Sequence, residues 1–178
     1  MSPFRLRPAA PHDVPAIVGL ITELAAFEQL THLLEVTPER LAPQLFGPRP
    51  AAEAVVAELT APDGAADGAA AGPVVGFALF FTNFSTFLAR PGLYLEDLYV
   101  QPAHRGAGIG QALLRHLAAL AAERGCGRFE WSVLDWNANA IRFYEKMGAT
   151  VMPDWRICRV TGPALQALAG TPRSDGTD

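Results

Sequence analysis

The sequence predicts an α/β (α+β) fold, a mixed sheet covered by helices on both faces. Three observations predict it. Short apolar runs with strand character alternate with longer stretches whose apolar residues recur at helical spacing. Glycine or proline marks most changes from one pattern to the other. The strand-like run Leu93–Val100 leads to the helical run Gln111–Leu117 through Arg105-Gly106-Ala107-Gly108-Ile109-Gly110, a strand–loop–helix unit typical of layered folds.

Each element follows from its local pattern. Phe4-Arg5-Leu6-Arg7 alternates apolar and basic residues, as a short strand does. Pro11-His12-Asp13 starts a helix, with Asp13 favouring its positive end. Val14, Ile17, Val18, Ile21, Leu24 and Ala25 then form one apolar face. Thr37 caps a second helix and Pro38 occupies its first turn. Ala54–Leu59 and Val74–Phe81 read as strands, the second fully buried. Between them, the low-complexity residues 61–72 read as a flexible hairpin loop, because the elements before it are too few for a core of their own. Strand 93–100 precedes a helix over 106–124, ended by Gly125. Arg128–Val133 is a strand. A helix over Asn139–Met147 carries Ile141, Phe143 and Tyr144 and stops at Gly148. Trp155–Val160 is expected as the last strand. Residues 1–170 thus form one domain, and residues 171–178 are expected to be a disordered tail.

The 178 residues are half hydrophobic and 18% charged, as a soluble globular domain requires. A net charge of −4 argues against nucleic acid as the main partner and suits a cationic substrate. No apolar run reaches the roughly 20 residues of a membrane span. The N-terminal residues lack the apolar core of a signal peptide, so a cytoplasmic location is expected. Cys126 and Cys158 have no metal or redox spacing and are expected to be buried free thiols. The histidines are scattered, and no metal site is expected.

The glycine loop is the main chemical signal. Glycines at the head of a helix leave backbone N–H groups uncovered at the positive end of the dipole, and Arg105 adds a charge. A diphosphate suits such a place. The G-x-G-x-x-G dinucleotide pattern would need glycine where Gln111 stands, and the Gly-Lys-Ser/Thr of a P-loop is absent. A glycine turn that merely starts a helix also fits the loop taken alone.

Its neighbours narrow the choice. Arg-x-x-Gly-x-Gly, after a strand ending Val100-Gln101-Pro102, resembles the acetyl-CoA pyrophosphate loop of the GNAT acetyltransferases. Asn137 followed by Ile141-Arg142-Phe143-Tyr144-Glu145-Lys146-Met147-Gly148-Ala149 resembles the other signature of that superfamily. Within it, Tyr94-Leu95-Glu96-Asp97-Leu98-Tyr99-Val100 and Leu134-Asp135-Trp136-Asn137 resemble the diamine acetyltransferases, the spermidine/spermine and thialysine N-acetyltransferases. Glu23–Glu28 and Val55–Glu58 agree with the same family. The resemblance runs from about residue 4 to about residue 160.

The resemblance implies a GNAT fold with a mostly antiparallel sheet and a splayed strand pair at the acetyl-CoA site. It implies acetyl transfer from acetyl-CoA to a primary amine of a small cationic substrate, a diamine, polyamine or lysine analogue such as thialysine, by direct attack in a ternary complex. It assigns Arg105, Gly106, Ala107, Gly108, Ile109, Gly110 and Gln111 to the diphosphate. Leu98, Tyr99 and Val100 go to the pantetheine and thioester, with the Leu98 N–H as oxyanion donor. Asn137, Ala138, Asn139 and Ala140 would line the thiol arm, and Tyr144 would protonate the departing thiolate. Glu96 falls at the substrate amine. Asp97 is either a second substrate carboxylate or a structural acceptor. Phe27, Glu28, Glu130, Trp131 and Ser132 match substrate positions. A homodimer is implied, with Trp155–Val160 and Pro163–Leu168 as candidate interface.

A carboxylate at the amine has a quantitative purpose. An alkylamine of pKa about 10.4 is only about one part in a thousand neutral at pH 7, a deficit of roughly 4–5 kcal/mol. There are departures from the family: Phe27 replaces a tyrosine, Pro50-Ala51-Ala52-Glu53-Ala54 replaces a more aromatic stretch, and Trp131 is bulkier. They bear on spermidine as the acceptor more than on the acetyl chemistry; the alternatives are another small amine or a protein acceptor, and a non-catalytic acyl-CoA-binding module, against which Glu96 and Tyr144 argue.

Overall fold

Five strands form one open sheet in the order β1-β2-β3-β4-β5. They are β1 (Phe4–Pro8), β2 (Glu53–Leu59), β3 (Val74–Ser85), β4 (Arg90–Val100) and β5 (Arg128–Trp131). The first four are antiparallel, and β5 joins β4 in parallel. This computed structural model describes residues 4–60 and 72–170. The expected loop 61–72 falls almost wholly outside those residues, as does the tail 171–178. The chain divides into two units, residues 1–134 and 135–178.

In the first unit, α1 (Val14–Phe27) and α2 (Pro38–Phe46) cover one face of the sheet. Their buried Val14, Ile17, Leu20, Leu41 and Leu45 pack on Ala54, Val56, Phe77, Leu79 and Tyr99. Helix α3 (Ile109–Glu123) covers the other face. There a Cβ on Gly76 would lie 3.4 Å from Ile109 Cγ2, and Arg124, just past α3, lies over the Phe80 ring. Helices on both faces of a mixed sheet agree with the expected class.

Boundaries differ from expectation where local geometry intervenes. Thr37 Oγ1 accepts from Arg40 N–H and Pro38 opens α2, as its residues predict. Helix α3 starts at Ile109 rather than at 106. Gly106 and Gly108 have φ of 81° and 84°, and a right-handed helix excludes positive φ. Strands β3 and β4 run to a tight hairpin at residues 86–89, so both are longer than their apolar cores suggest. Strand β5 stops at Trp131.

A buried ion network ties β1, β2 and the start of α1 together. Arg7 donates to both oxygens of Asp13, at 2.6 and 2.8 Å, and from Nε to Glu58 Oε2 at 2.5 Å. Arg5 completes Glu58 at 2.8 Å. Glu58 is 1% exposed, and a carboxylate there is tolerable only because two guanidinium groups solvate it.

The second unit holds α4 (Ala138–Lys146) and α5 (Gly162–Leu168). Asn137 caps α4, its Oδ1 accepting from Ala140 N–H at 3.2 Å. The expected strand Trp155–Val160 is not formed. Those residues are irregular and exposed, and no strand pairing among the described residues includes them. Cys158 is exposed and Cys126 only partly covered, which corrects the expectation of buried thiols.

Candidate active site

A bulge in β4 builds the site. Asp97 pairs with Leu79 and Leu95 with Phe80, so Glu96 has no partner on β3. The extra residue reverses the alternation of β4. Leu95 faces the α3 layer with Phe80, while Asp97 and Tyr99 face α1 with Leu79 and Phe77. Glu96 is exposed at the bulge, and Glu28 ends α1. None of these three carboxylates has a cationic partner among the described residues. Burial first, then the charges of Glu96 and Glu28, raise the Asp97 carboxyl to about 6. Burial also raises Glu28.

The same strand offers free backbone. Its ladder with β5 ends at Leu95–Trp131, and β4 continues to Val100 beside β3 alone. Gln101 N–H donates to Val75 O at 2.9 Å. Alternate residues of an antiparallel strand present their N–H groups to opposite edges. Leu98 and Val100 therefore present theirs to the edge that β5 has left. This open edge agrees with the expected splayed pair.

The glycine loop follows. Gly108 starts α3 without any side-chain cap, and the first N–H groups of a helix have no partner within the helix itself. A Cβ on Gly106 or Gly108 would meet no atom within 4 Å. An exposed, uncapped loop of this kind fits a diphosphate. Arg105, the cation at its head, donates from Nε to Val100 O at 2.9 Å. Its guanidinium lies 5.3 Å from the centre of the Phe27 ring and 5.4 Å from that of Tyr99.

Other expected residues lie on β5 and just past it, Glu130 on the α1 side with Tyr94 and Trp131 on the α3 side with Leu95. Glu130 accepts from Asn83 Nδ2 at 2.6 Å and lies 3.1 Å from Arg128 Nε, so it is already neutralised. Ser132 shares a 2.8 Å hydrogen bond with the Tyr94 hydroxyl, and Tyr94 packs on Phe81. Trp131 packs on Phe129. Phe81 and Thr82 join Pro50–Glu53 around a cleft of about 270 Å³. Sequence reasoning assigned no role to Glu23. It takes Tyr99 Oη–H at 3.2 Å and Gln101 Nε2 at 2.8 Å. The signal was present, since Glu23 precedes Phe27 by one helical turn. In the second unit, Tyr144 lies half-buried on α4 against Phe143. Asn139 accepts from Arg142.

Known proteins agree with this architecture. A sequence model of the acetyltransferase (GNAT) family matches residues 27–149. The chain is 39% identical to L-ornithine N5-acetyltransferase NATA1 of Arabidopsis thaliana over 92% of its own length and 87% of that protein's. It is 38% identical to thialysine N-epsilon-acetyltransferase of Mus musculus over 96% of this chain and 99% of the relative. An integron cassette protein from the mobile metagenome of V. cholerae superposes with a TM-score of 0.74 at 26% identity, covering 96% of this chain and 99% of its own. No helix among the described residues is long and apolar enough to cross a membrane. The chain belongs to the GNAT acetyltransferase family and is an acetyl-CoA-dependent N-acetyltransferase of a small amine.

Proposed function

We propose that the acceptor is a small aliphatic amine carrying a second polar group, a lysine- or ornithine-like amino acid or a diamine. It is bound as a cation on the α1 side of β4. The single observation behind this reading is the set of three unpaired carboxylates, Glu28, Glu96 and Asp97, whose mutual repulsion a bound ammonium relieves. The names of the relatives, acting on ornithine and thialysine, support an amino-acid amine. Glu130 is held by Asn83 and Arg128, which weakens the case for a long polyamine needing a further free acid.

The roles follow from the chemistry. Glu96 and Glu28 attract the ammonium. Asp97 helps remove its proton; raised from 3.8 to about 6, it is a stronger base than an ordinary carboxylate by about 3 kcal/mol, much of the deprotonation deficit. Acetyl-CoA supplies the activated acetyl group, and Gly106–Gln111 with Arg105 hold its diphosphate. Leu98, Tyr99 and Val100 border the thioester. The N–H of Leu98 stabilises charge developing on the carbonyl oxygen. Tyr144 gives the thiol its proton, and Ala138, Asn139 and Ala140 line its arm with Asn137. Phe27 and Ser132 shape the acceptor site, whereas Trp131 lies on the other face of the sheet with Leu95. The reading includes a homodimer, supported by the exposed Trp155, Ile157, Leu165 and Leu168. It also includes a cytoplasmic location, supported by the two free cysteines.

The test is acetyl-CoA-dependent thiol release with ornithine, lysine, thialysine, putrescine, spermidine and a basic peptide. Glu96→Gln and Tyr144→Phe are run beside the parent. Turnover confined to the small amines, reduced at least about a hundredfold in both variants, supports the reading. Preference for spermidine or the peptide refutes the acceptor class. Undiminished Tyr144→Phe activity refutes the acid assignment.

A further inference from the structure

We infer that Arg105 is a positioning residue that couples the two substrate sites. One guanidinium, held between Phe27 and Tyr99, ties the glycine loop to the wall of the acceptor pocket, so that acetyl-CoA and the amine strengthen each other's binding. The inference rests on the reading that Phe27 lines the amine site.

The residues form a closed linkage. Arg105 directly precedes Gly106, so its charge belongs to the loop. Its Nε–H donates to the Val100 carbonyl at 2.9 Å, on the strand edge that carries the Leu98 and Val100 N–H groups. Its guanidinium faces the rings of Phe27 and Tyr99 at 5.3 and 5.4 Å, within the range of cation–π attraction. Tyr99 is held in turn through its hydroxyl by Glu23 on α1, one helical turn before Phe27. Phe27 is the last residue of α1, and Glu28 of the acidic trio follows it.

Two consequences follow. The rings hold a flexible side chain in one arrangement, so an anion on the loop meets a cation already in place, and the ordering cost of binding falls. In the other direction, an anion that fastens Arg105 also fastens Phe27 beside Glu28. Such coupling is reciprocal by thermodynamic necessity. A residue that served only the diphosphate would have no need of contact with the end of α1.

The test is a double-mutant cycle read as the Kd of acetyl-CoA by isothermal titration, using Phe27→Leu, Arg105→Gln and the double variant. Thermal unfolding of each confirms the fold. Phe27→Leu is expected to weaken acetyl-CoA binding about three- to tenfold in the parent and to have no further effect beside Arg105→Gln. Phe27→Tyr, which keeps the ring, restores the parent value. Unchanged Kd in Phe27→Leu, or fold-changes that simply multiply, overturns the coupling. The KM for the amine separates this from the acceptor reading. An amine KM unmoved by Phe27→Leu, with the Kd cycle still non-additive, removes Phe27 from the pocket and leaves its link to Arg105 standing.

Discussion

Asp97 stands directly across the β3–β4 ladder from Leu79, on the face covered by α1. It reaches that face only because Glu96, the residue before it, pairs with nothing on β3. The bulge puts a carboxylate among apolar neighbours and near two other acids, and its raised pKa is the result.

This makes Asp97→Asn informative in two ways. The folded carboxyl titrates near 6, above its unfolded value of 3.8. Its contribution to stability is present when it is protonated and is lost as pH rises from about 4 through 6. Asp97→Asn is therefore expected to stabilise the protein at pH 8 by up to about 3 kcal/mol and to leave it nearly unchanged at pH 4. In the parent, kcat/KM for the amine should rise through a group near 6, a limb the variant lacks, with activity lowered about a hundredfold. Urea titrations at the two pH values and a pH–rate profile check both. Equal stability of the two proteins at pH 8 would refute the burial argument.

The ion network at the other end of the first unit has the opposite sign. Arg7 holds the Asp13 carboxyl below its ordinary range against a burial penalty. Burial pushes Glu58 up, but Arg7 and Arg5 outweigh it and hold it low. Stability from this network is present above about pH 4.5 and lost as pH falls through the depressed values. Arg7→Leu strips the buried Asp13 of its guanidinium and leaves Glu58 with Arg5 alone, and is expected to cost about 3–5 kcal/mol at pH 7, with a smaller loss near pH 3. Chemical denaturation across that range would show it.

The loop glycines should separate strain from ligand affinity. Gly106 and Gly108 have positive φ with open space around them. Alanine at either should cost about 1–2 kcal/mol of backbone strain without a clash. Each Cβ would also occupy open space beside the loop that is proposed to hold the diphosphate. Acetyl-CoA affinity is expected to fall about tenfold, while the KM for the amine stays within about twofold. A loss of stability with unchanged acetyl-CoA Kd would move the diphosphate elsewhere.

Trp155, 72% exposed, tests the assembly. Sedimentation equilibrium of the parent should give twice the chain mass, and Trp155→Asp should shift it toward one chain. A parent that sediments as a single chain refutes the homodimer.

Part of this protein was legible from local pattern because the physics involved is local. The face of α1, the Thr37-Pro38 start of α2 and the glycine loop all follow from neighbouring residues, since caps, backbone sterics and amphipathic spacing act within one or two turns. The loop motif with Tyr94–Val100 and Asn137–Ala149 sufficed to identify the family. The missing strand at Trp155–Val160 shows the limit, because alternating apolar residues state a tendency and the hydrogen-bonding neighbour must come from elsewhere. The contacts of the site were decided by tertiary structure. In the unbroken alternation of the sequence, Leu93, Leu95, Asp97 and Tyr99 share one face. The bulge at Glu96 is a property of the pairing with β3, and it sends Leu93 and Leu95 to α3, and Asp97 and Tyr99 to α1. Arg105 meets Phe27, and Glu23 meets Tyr99, only because the sheet brings the end of β4 beneath the end of α1. Sequence determines which groups the chain carries and what each stretch prefers; which of them meet, and so which carboxylate is buried and raised, depends on registers and contacts between segments far apart in the chain.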